Sequence, residues 1–115
     1  MVTSVTDYKN GWMIGDFDPS VVRTPSFEFA HHFHPKGFIG RSHKHVQSRE
    51  FNYIVRGRLM AKDRELTAGD MFIFDKGEYS GEVTFLEDTD MVVIKTPSSP
   101  HDKYDEAGKG LGVGE

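Results

Sequence analysis

Short apolar runs separated by glycine-containing turns are the feature that most constrains the fold of this chain. The 115 residues include 12 glycines, and the runs 51–55, 71–74 and 91–95 are rich in aromatic and β-branched residues, as strands are. No segment has apolar residues at helical spacing over eleven or more positions. Roughly eight or nine short strands are typical of a sandwich or barrel, so the sequence predicts one all-β domain. The phenylalanines predicted to pack inside it are Phe51, Phe72, Phe74 and Phe85.

Composition excludes several classes of function. The chain has no cysteine, which excludes disulfides, thiolate metal sites and cysteine nucleophiles, so any metal must be bound by nitrogen and oxygen. The net charge of −4 and the scattered lysines and arginines disfavour nucleic acid as a partner. No apolar run is long enough to cross a membrane, and the first residues lack the pattern of a signal peptide. We therefore expect a cytoplasmic protein without membrane or nucleic-acid partners.

One spacing pattern points to chemistry. Gly37 is followed after five residues by His43-x-His45, after four more by Glu50, and after six more by Gly57. Side chains two apart on a strand share a face, so the two imidazoles project together and the carboxylate can join them on one ion. This donor set suits zinc, iron, nickel or manganese. The alternative, a pair of surface histidines, is less favoured because the glutamate and both glycines stand at matching offsets.

The pattern matches, without a gap, the first sequence motif of the cupin superfamily. Cupins are small β-barrels of the jelly-roll (double-stranded β-helix) type, and in metal-binding members the two histidines and the glutamate are ligands. The resemblance therefore implies an all-β jelly-roll cupin barrel in which His43, His45 and Glu50 hold a divalent metal ion.

The resemblance also implies a division of the chain. Residues 1–26 are expected to form an N-terminal arm with one or more short strands, residues 27–96 the barrel, and residues 97–115 a tail that is mobile at its end. Because cupins often dimerise through N-terminal strands, we expect a homodimer. The apolar residues of the arm that would serve this purpose are Trp12, Met13, Ile14 and Phe17.

The second cupin motif is only partly present. Gly69 and Gly77 are kept, but Ser80 occupies the position of the usual third histidine ligand. Three interpretations remain open. The three first-motif residues bind metal alone, another residue supplies a fourth ligand, or the cavity binds its ligand without metal. The fourth-ligand candidates are Glu78 and Ser80, with Asp75, Glu82, His32 and His34 as further possibilities.

These patterns predict a metal-dependent protein that acts on or binds a small oxygen-rich metabolite, such as a carbohydrate-like one. If it is an enzyme, isomerase, lyase or dioxygenase chemistry is compatible with such a site. The candidate catalytic residues are His34, Asn52 and Tyr79, and Arg41 or Arg49 could hold anionic groups. The competing hypotheses are a non-catalytic binding protein that has lost its metal and a structural protein with a relic site.

Overall fold

The computed structural model describes residues 1–111, in which nearly all of the regular secondary structure is strand, and this confirms the predicted all-β class. None of the helices in this part of the chain is long and apolar enough to span a membrane. Residues 112–115, on which the prediction of a mobile chain end falls, lie outside the described residues. The elements are two 3-10 helices at Val5–Asp7 and Lys9–Gly11, and the strands β1 Trp12–Ile14, β2 Glu28–His34, β3 Ile39–Gly40, β4 Arg49–Arg56, β5 Arg58–Ala61, β6 Arg64–Thr67, β7 Met71–Phe74, β8 Val83–Phe85 and β9 Thr89–Thr96.

The strands form two antiparallel sheets. One sheet has the order β1-β2-β9-β4-β7, and the other has the order β3-β8-β5-β6. In the first sheet β9, from the end of the barrel, lies between β2 and β4, so side chains from three distant parts of the sequence share its inner face. This strand order brings His32 and His34 of β2 and the Glu50 carboxylate of β4 to the same side of the sheet.

Burial alternates along the strands, as expected when one face of a sheet meets a core. On β9, Met91, Val93 and Lys95 are buried, whereas Val92 and Ile94 on the other face are not. Inward-facing residues of both sheets therefore make one continuous core. Its members are Trp12, Ala30, Ile54, Leu59, Ala61, Leu66, Phe72, Phe74, Phe85, Met91 and Val93.

Two expectations about apolar residues need correction. Phe51 was predicted to lie in the core but is only half-buried. It stands between Glu50 and Asn52, which face the core, so the alternation of the strand places Phe51 on the outer face of β4. Trp12 was predicted to serve a dimer interface, but it is buried in the core, and Phe17 packs against that core. The largest side chains of the arm are therefore used inside the barrel.

The two glycines that bound the histidine motif both have a positive φ. Gly37 has a φ of 89° in the turn between β2 and β3, a conformation that other residues rarely adopt. Gly57 has a φ of 104°, and a Cβ atom there would stand 2.3 Å from Thr89 Oγ1. Gly57 thus permits both the β4–β5 turn and its close contact with the start of β9.

Candidate metal centre

The side chains of His43, His45 and Glu50 converge on one point at the inner face of the first sheet. One donor atom from each lies within 4.8 Å of the other two. The His45 Nε2 and Glu50 Oε1 atoms are 3.3 Å apart, and the two imidazole rings are 5.2 Å apart at 84° to each other. A tetrahedral ion with bonds of about 2.1 Å holds its ligand atoms about 3.4 Å apart. The His45–Glu50 distance therefore matches that of two ligands on one divalent transition metal.

The segment that carries the histidines is less regular than the sequence predicts. The spacing argument treats His43 and His45 as neighbours on a strand, but between residues 39 and 45 only Ile39–Gly40 is a strand of the sheet. Further along, Lys44 forms an isolated bridge with Tyr104, in which each backbone N–H donates to the other residue's carbonyl at 2.9 and 3.0 Å. The histidines on either side of Lys44 are thus held by the C-terminal segment, whose residues 97–111 pack across this loop.

The hydrogen bonds of the two imidazoles leave one nitrogen of each for a metal. His45 Nδ1 bonds to the backbone carbonyl of Asp102, and His43 Nδ1 bonds to the carbonyl of Arg41 at 3.1 Å. Because a carbonyl oxygen can only accept, both Nδ1 atoms carry the proton. The lone pairs are then on Nε2, and such carbonyl partners fix the orientation of ligating histidines.

Asp102 also organises the loop between His45 and Glu50. Its carboxylate accepts hydrogen bonds from the backbone N–H groups of Val46, Gln47 and Ser48 at 2.7, 2.7 and 3.0 Å. Its residue exposure is only 3%. A single side chain from the C-terminal segment thus fixes the chain between two of the candidate ligands, a role that no local sequence pattern indicates.

The ionisation states of the group suit a metal site. Burial disfavours the charged carboxylate of Glu50, but the hydrogen bond and charge that His45 supplies when protonated, the charge of protonated His43 and a hydrogen bond from Asn52 hold the Glu50 pKa at about 2. Burial lowers the pKa of His43, and the nearby carboxylate only partly offsets this effect. At neutral pH the group therefore offers an anionic carboxylate and a neutral His43 imidazole.

The other predicted site residues divide into two sets. His34, Asn52 and Ser80 line the same cavity as the three candidate ligands. The Ser80 hydroxyl accepts a hydrogen bond from the His43 backbone N–H at 3.1 Å and donates one to the Gly81 carbonyl at 2.8 Å, so it is already engaged.

The structure does not bring Glu78, Tyr79 or Arg49 to the cavity wall. The Glu78 carboxylate pairs with Lys62 at 2.9 Å on the outside of the barrel. The Tyr79 ring lies under the Lys44 ammonium, and the exposed Arg49 pairs with Asp75. Each of these side chains instead has a partner at the surface.

The cavity has a volume of about 340 Å³ and lies between the two sheets. Its wall is largely aromatic and aliphatic and includes Trp12, Phe38 and Phe85. The His34 ring is parallel to Phe38 at 5.2 Å and tilted against Phe85 at 4.4 Å. The metal-binding group therefore lies beside a small, mostly apolar chamber.

Among the described residues, the Nε2 atom of His32 is the one buried side-chain nitrogen or oxygen without a hydrogen-bond partner. Its ring meets Trp12 edge-on at 5.2 Å, and burial lowers the pKa of His32 to about 4 from 6.5, with the neighbouring His34 adding to the effect. The imidazole is therefore neutral in the folded protein at neutral pH.

This burial predicts a loss of stability in mild acid. Between pH 6.5 and about 4 the unfolded chain binds a proton at His32 that the folded chain does not. The free energy of unfolding therefore has its full contribution from His32 above pH 6.5 and decreases as the pH falls toward 4. The depression corresponds to about 3 kcal/mol. Urea unfolding across this range should show that the free energy of unfolding depends less on pH in His32→Phe than in the wild type. His101→Gln, at an exposed position, is the control and should show the pH dependence of the wild type. Parallel curves for wild type and His32→Phe would contradict the assignment.

Comparison with known proteins supports the fold. No protein-family model and no curated protein matches the chain. Among solved structures 165 chains match, including KdgF from Halomonas sp., with 23% identity, a TM-score of 0.59 and coverage of 69% of this chain and 76% of that one.

Two further solved structures are similar to the chain. The acetylacetone dioxygenase of Acinetobacter johnsonii has 18% identity and a TM-score of 0.60, covering 77% of this chain and 64% of its own. An uncharacterised protein with a double-stranded β-helix domain from Klebsiella pneumoniae has 16% identity and a TM-score of 0.64, covering 99% and 92%. At these identities the similarity shows the fold alone.

Proposed function

We propose that this chain, which has the cupin fold, holds one divalent transition metal at His43, His45 and Glu50 and uses it to bind and transform a small oxygen-bearing molecule. The observation that carries the proposal is the convergence of three donor groups on one point of a cavity wall, with both imidazoles oriented by backbone carbonyls. Two histidines and a carboxylate that leave positions open are typical of catalytic rather than structural metal sites.

The residues present fit such an ion, and the residues around it have separate roles. When bound, the ion would polarise a carbonyl or carboxylate oxygen or activate a small molecule at its open positions. Asn52 donates to Glu50 Oε2 at 3.1 Å and so leaves Oε1 directed toward His45. His34 lines the cavity, and burial lowers its pKa, so it is a neutral base that can accept a proton from a bound substrate.

A second candidate function is a binding protein that needs no metal. It is favoured by Ser80 at the place of the usual third histidine, since the Ser80 hydroxyl bonds to backbone groups and offers no replacement ligand. The two candidates differ in whether the purified protein contains metal.

The test is elemental analysis of untagged protein purified without a metal column. The metal-dependent function predicts about one transition metal ion per chain, either as isolated or after incubation with zinc, iron, nickel or manganese salts followed by desalting. Protein that remains metal-free under all of these conditions would favour the metal-free binding function.

We also propose that the protein is a homodimer that pairs through the outer face of the β1-β2-β9-β4-β7 sheet. In register across this face lie Phe29, Ile94, Phe51 and Ile73, and beside them Val92, Tyr53 and Met71. The strands β1, β2, β9, β4 and β7 have 3, 7, 8, 8 and 4 residues, which at about 3.3 Å per residue and about 4.8 Å between strands make a face of about 480 Å². This is more than half of the roughly 800 Å² per partner of stable interfaces, and a flat face of this kind can meet its own copy across a two-fold axis.

Light scattering coupled to size exclusion tests the dimer. Ile94→Lys places a charge at the centre of the outer face, where Ile94 is 37% exposed, and should give a monomer. Ile39→Lys, at a 52% exposed position on the other sheet, is the matched control and should remain dimeric. A monomeric wild type, or a dimeric Ile94→Lys, would contradict this interface.

A further inference from the structure

We propose that Gly40 determines which ligands fit the cavity: because it has no side chain, a ligand held at the metal centre can extend its body past strand β3. This inference rests on the metal-dependent function proposed above and adds a size class to its ligand. Three observations carry it: the place of Gly40 on the cavity wall, a local structure that does not require glycine, and the open space that a side chain would enter.

Gly40 faces the cavity from β3, the edge strand of the second sheet. Ile39 is 52% exposed, so the alternation of side chains along the strand directs position 40 to the opposite, inner face. Beside it in register on β8 stands Val83, which lines the same cavity. The proposed ligand His43 follows three residues later, and three residues of chain span at most about 11 Å. A small ligand bound at the metal centre is therefore within reach of the Gly40 backbone.

The local structure of β3 does not explain why position 40 is a glycine. Glycine weakens a strand, because it has no side chain to pack and loses more conformational freedom on folding than other residues do. Strand glycines are common at bulges, at tight bends, and where another backbone or a ligand comes close. Ile39 and Gly40 pair with β8 in regular register, which excludes a bulge, and the φ of Gly40 lies outside the left-handed region.

Close approach of another part of the backbone is also excluded. A Cβ atom at position 40 would stand 3.7 Å from the Val83 carbonyl oxygen and 3.9 Å from the Val83 Cβ, which are ordinary van der Waals distances. At Gly57, by contrast, a Cβ would stand 2.3 Å from Thr89 Oγ1. Of the usual reasons for a strand glycine, approach of a ligand is the one that this geometry leaves.

A side chain at position 40 would take up space in the cavity. Apart from Val83 and the two chain neighbours, no atom of residues 1–111 lies within 4 Å of the Cβ position, so a longer side chain has no protein packing to enter. The cavity volume of about 340 Å³ is at the low end for small-molecule pockets. In such a site one methylene group changes discrimination between ligands by about 10- to 200-fold. The ligand class is therefore a metal-binding oxygen group on a body that a side chain at position 40 would exclude.

Acetohydroxamate and benzohydroxamate test this inference, because they carry the same metal-binding group on a small and a large body. Their affinities are measured by titration calorimetry on zinc-loaded protein. The wild type should bind both. Gly40→Val should weaken benzohydroxamate binding by about tenfold or more and leave acetohydroxamate binding as it is in the wild type. Gly40→Ala adds one carbon, should weaken benzohydroxamate binding less than Gly40→Val does, and is the second variant in case Gly40→Val fails to fold.

Two controls separate ligand size from damage to the fold. Gly110 also has a φ outside the left-handed region, no atom of residues 1–111 lies within 4 Å of its Cβ position, and it does not line the cavity. Gly110→Val should therefore bind both hydroxamates as the wild type does. Gly40→Ala should be at least as stable as the wild type in urea, because replacing a glycine of ordinary φ reduces the freedom of the unfolded chain.

The metal content of each sample separates the two levels of inference. If the wild type binds no metal, the proposed function fails whatever the hydroxamates do. If metal is bound, four results would each overturn the role of Gly40: no hydroxamate binding to the wild type, unchanged benzohydroxamate affinity in the folded Gly40 variants, an equal loss of affinity for both hydroxamates, or failure of both variants to fold, since the last would show that the fold itself requires glycine.

Discussion

Replacement of His45 by alanine is expected to abolish stoichiometric metal binding. The variant loses one of the three proposed ligands and the 3.3 Å partner of the buried Glu50 carboxylate. Loss of a group that merely orients a ligand costs roughly 10- to 100-fold in metal affinity, and loss of the ligand itself should cost more. Elemental analysis should find about one ion per chain in the wild type and none in His45→Ala, and competition with a chelator should show a reduction in zinc affinity of more than about 100-fold.

Two further variants make this result specific. His101→Ala removes an exposed histidine next to Asp102 and should retain the metal. His45→Asn keeps a polar side chain at the buried position but shortens it, so it should also lose the metal while disturbing packing less than alanine does. The site would be refuted if folded His45→Ala, verified by circular dichroism, still contained one ion per chain.

The part of this centre that sequence alone predicted is the part that is local in the chain. His43, His45 and Glu50 lie within one loop and the strand that follows it, so a fixed spacing is enough to predict that they meet. The cupin fold implied by the same motif is confirmed by the two sheets and by the structural comparisons. The three side chains meet, as predicted, even though most of the segment before Glu50 is a loop. An isolated bridge at Lys44 holds the two histidines in the same relative position as a strand would.

The residues that sequence reasoning missed come from distant segments. Asp102 and Lys103 reach the centre only because residues 97–111 cross the histidine loop, and a segment rich in serine and proline carries no period that would place it there. Glu78 and Tyr79 show that closeness in sequence does not by itself place a side chain at the cavity. They are close in sequence to Ser80, but their side chains point to surface partners.

One buried pair could have been predicted from alternation but was not. On β9 the period of two that places Met91 and Val93 inside also places Lys95 inside, where it is 1% exposed. Across the sheet in register stands Glu28, itself 3% exposed, with its Oε1 atom 3.4 Å from Lys95 Nζ. The ammonium also lies 5.6 Å from the centre of the Trp12 ring. The alternation was visible in the sequence, but a lysine at the end of a strand is usually taken to be exposed.

Removal of the charge of Glu28 is therefore expected to have the largest effect on stability of any single change outside the apolar core. Glu28→Gln keeps the shape of the side chain but leaves the Lys95 ammonium buried without a counter-charge, which typically costs about 3–5 kcal/mol. The carboxylate also accepts hydrogen bonds from Ser98 Oγ at 2.9 Å and the Ser99 N–H at 2.8 Å, so the variant should loosen the start of the C-terminal segment as well. Urea unfolding at neutral pH measures the loss.

Two comparisons assign this loss to the buried charge rather than to substitution in general. Glu65→Gln breaks an ion pair with Arg58 that has a 3.0 Å contact but is exposed, and such pairs contribute about 1 kcal/mol or less. The double variant Glu28→Gln/Lys95→Met removes both charges and should recover much of the lost stability, because an apolar side chain tolerates burial where an unpaired ammonium does not. If Glu28→Gln costs no more than Glu65→Gln, or if the double variant is less stable than Glu28→Gln alone, the pair does not stabilise the barrel through its charges.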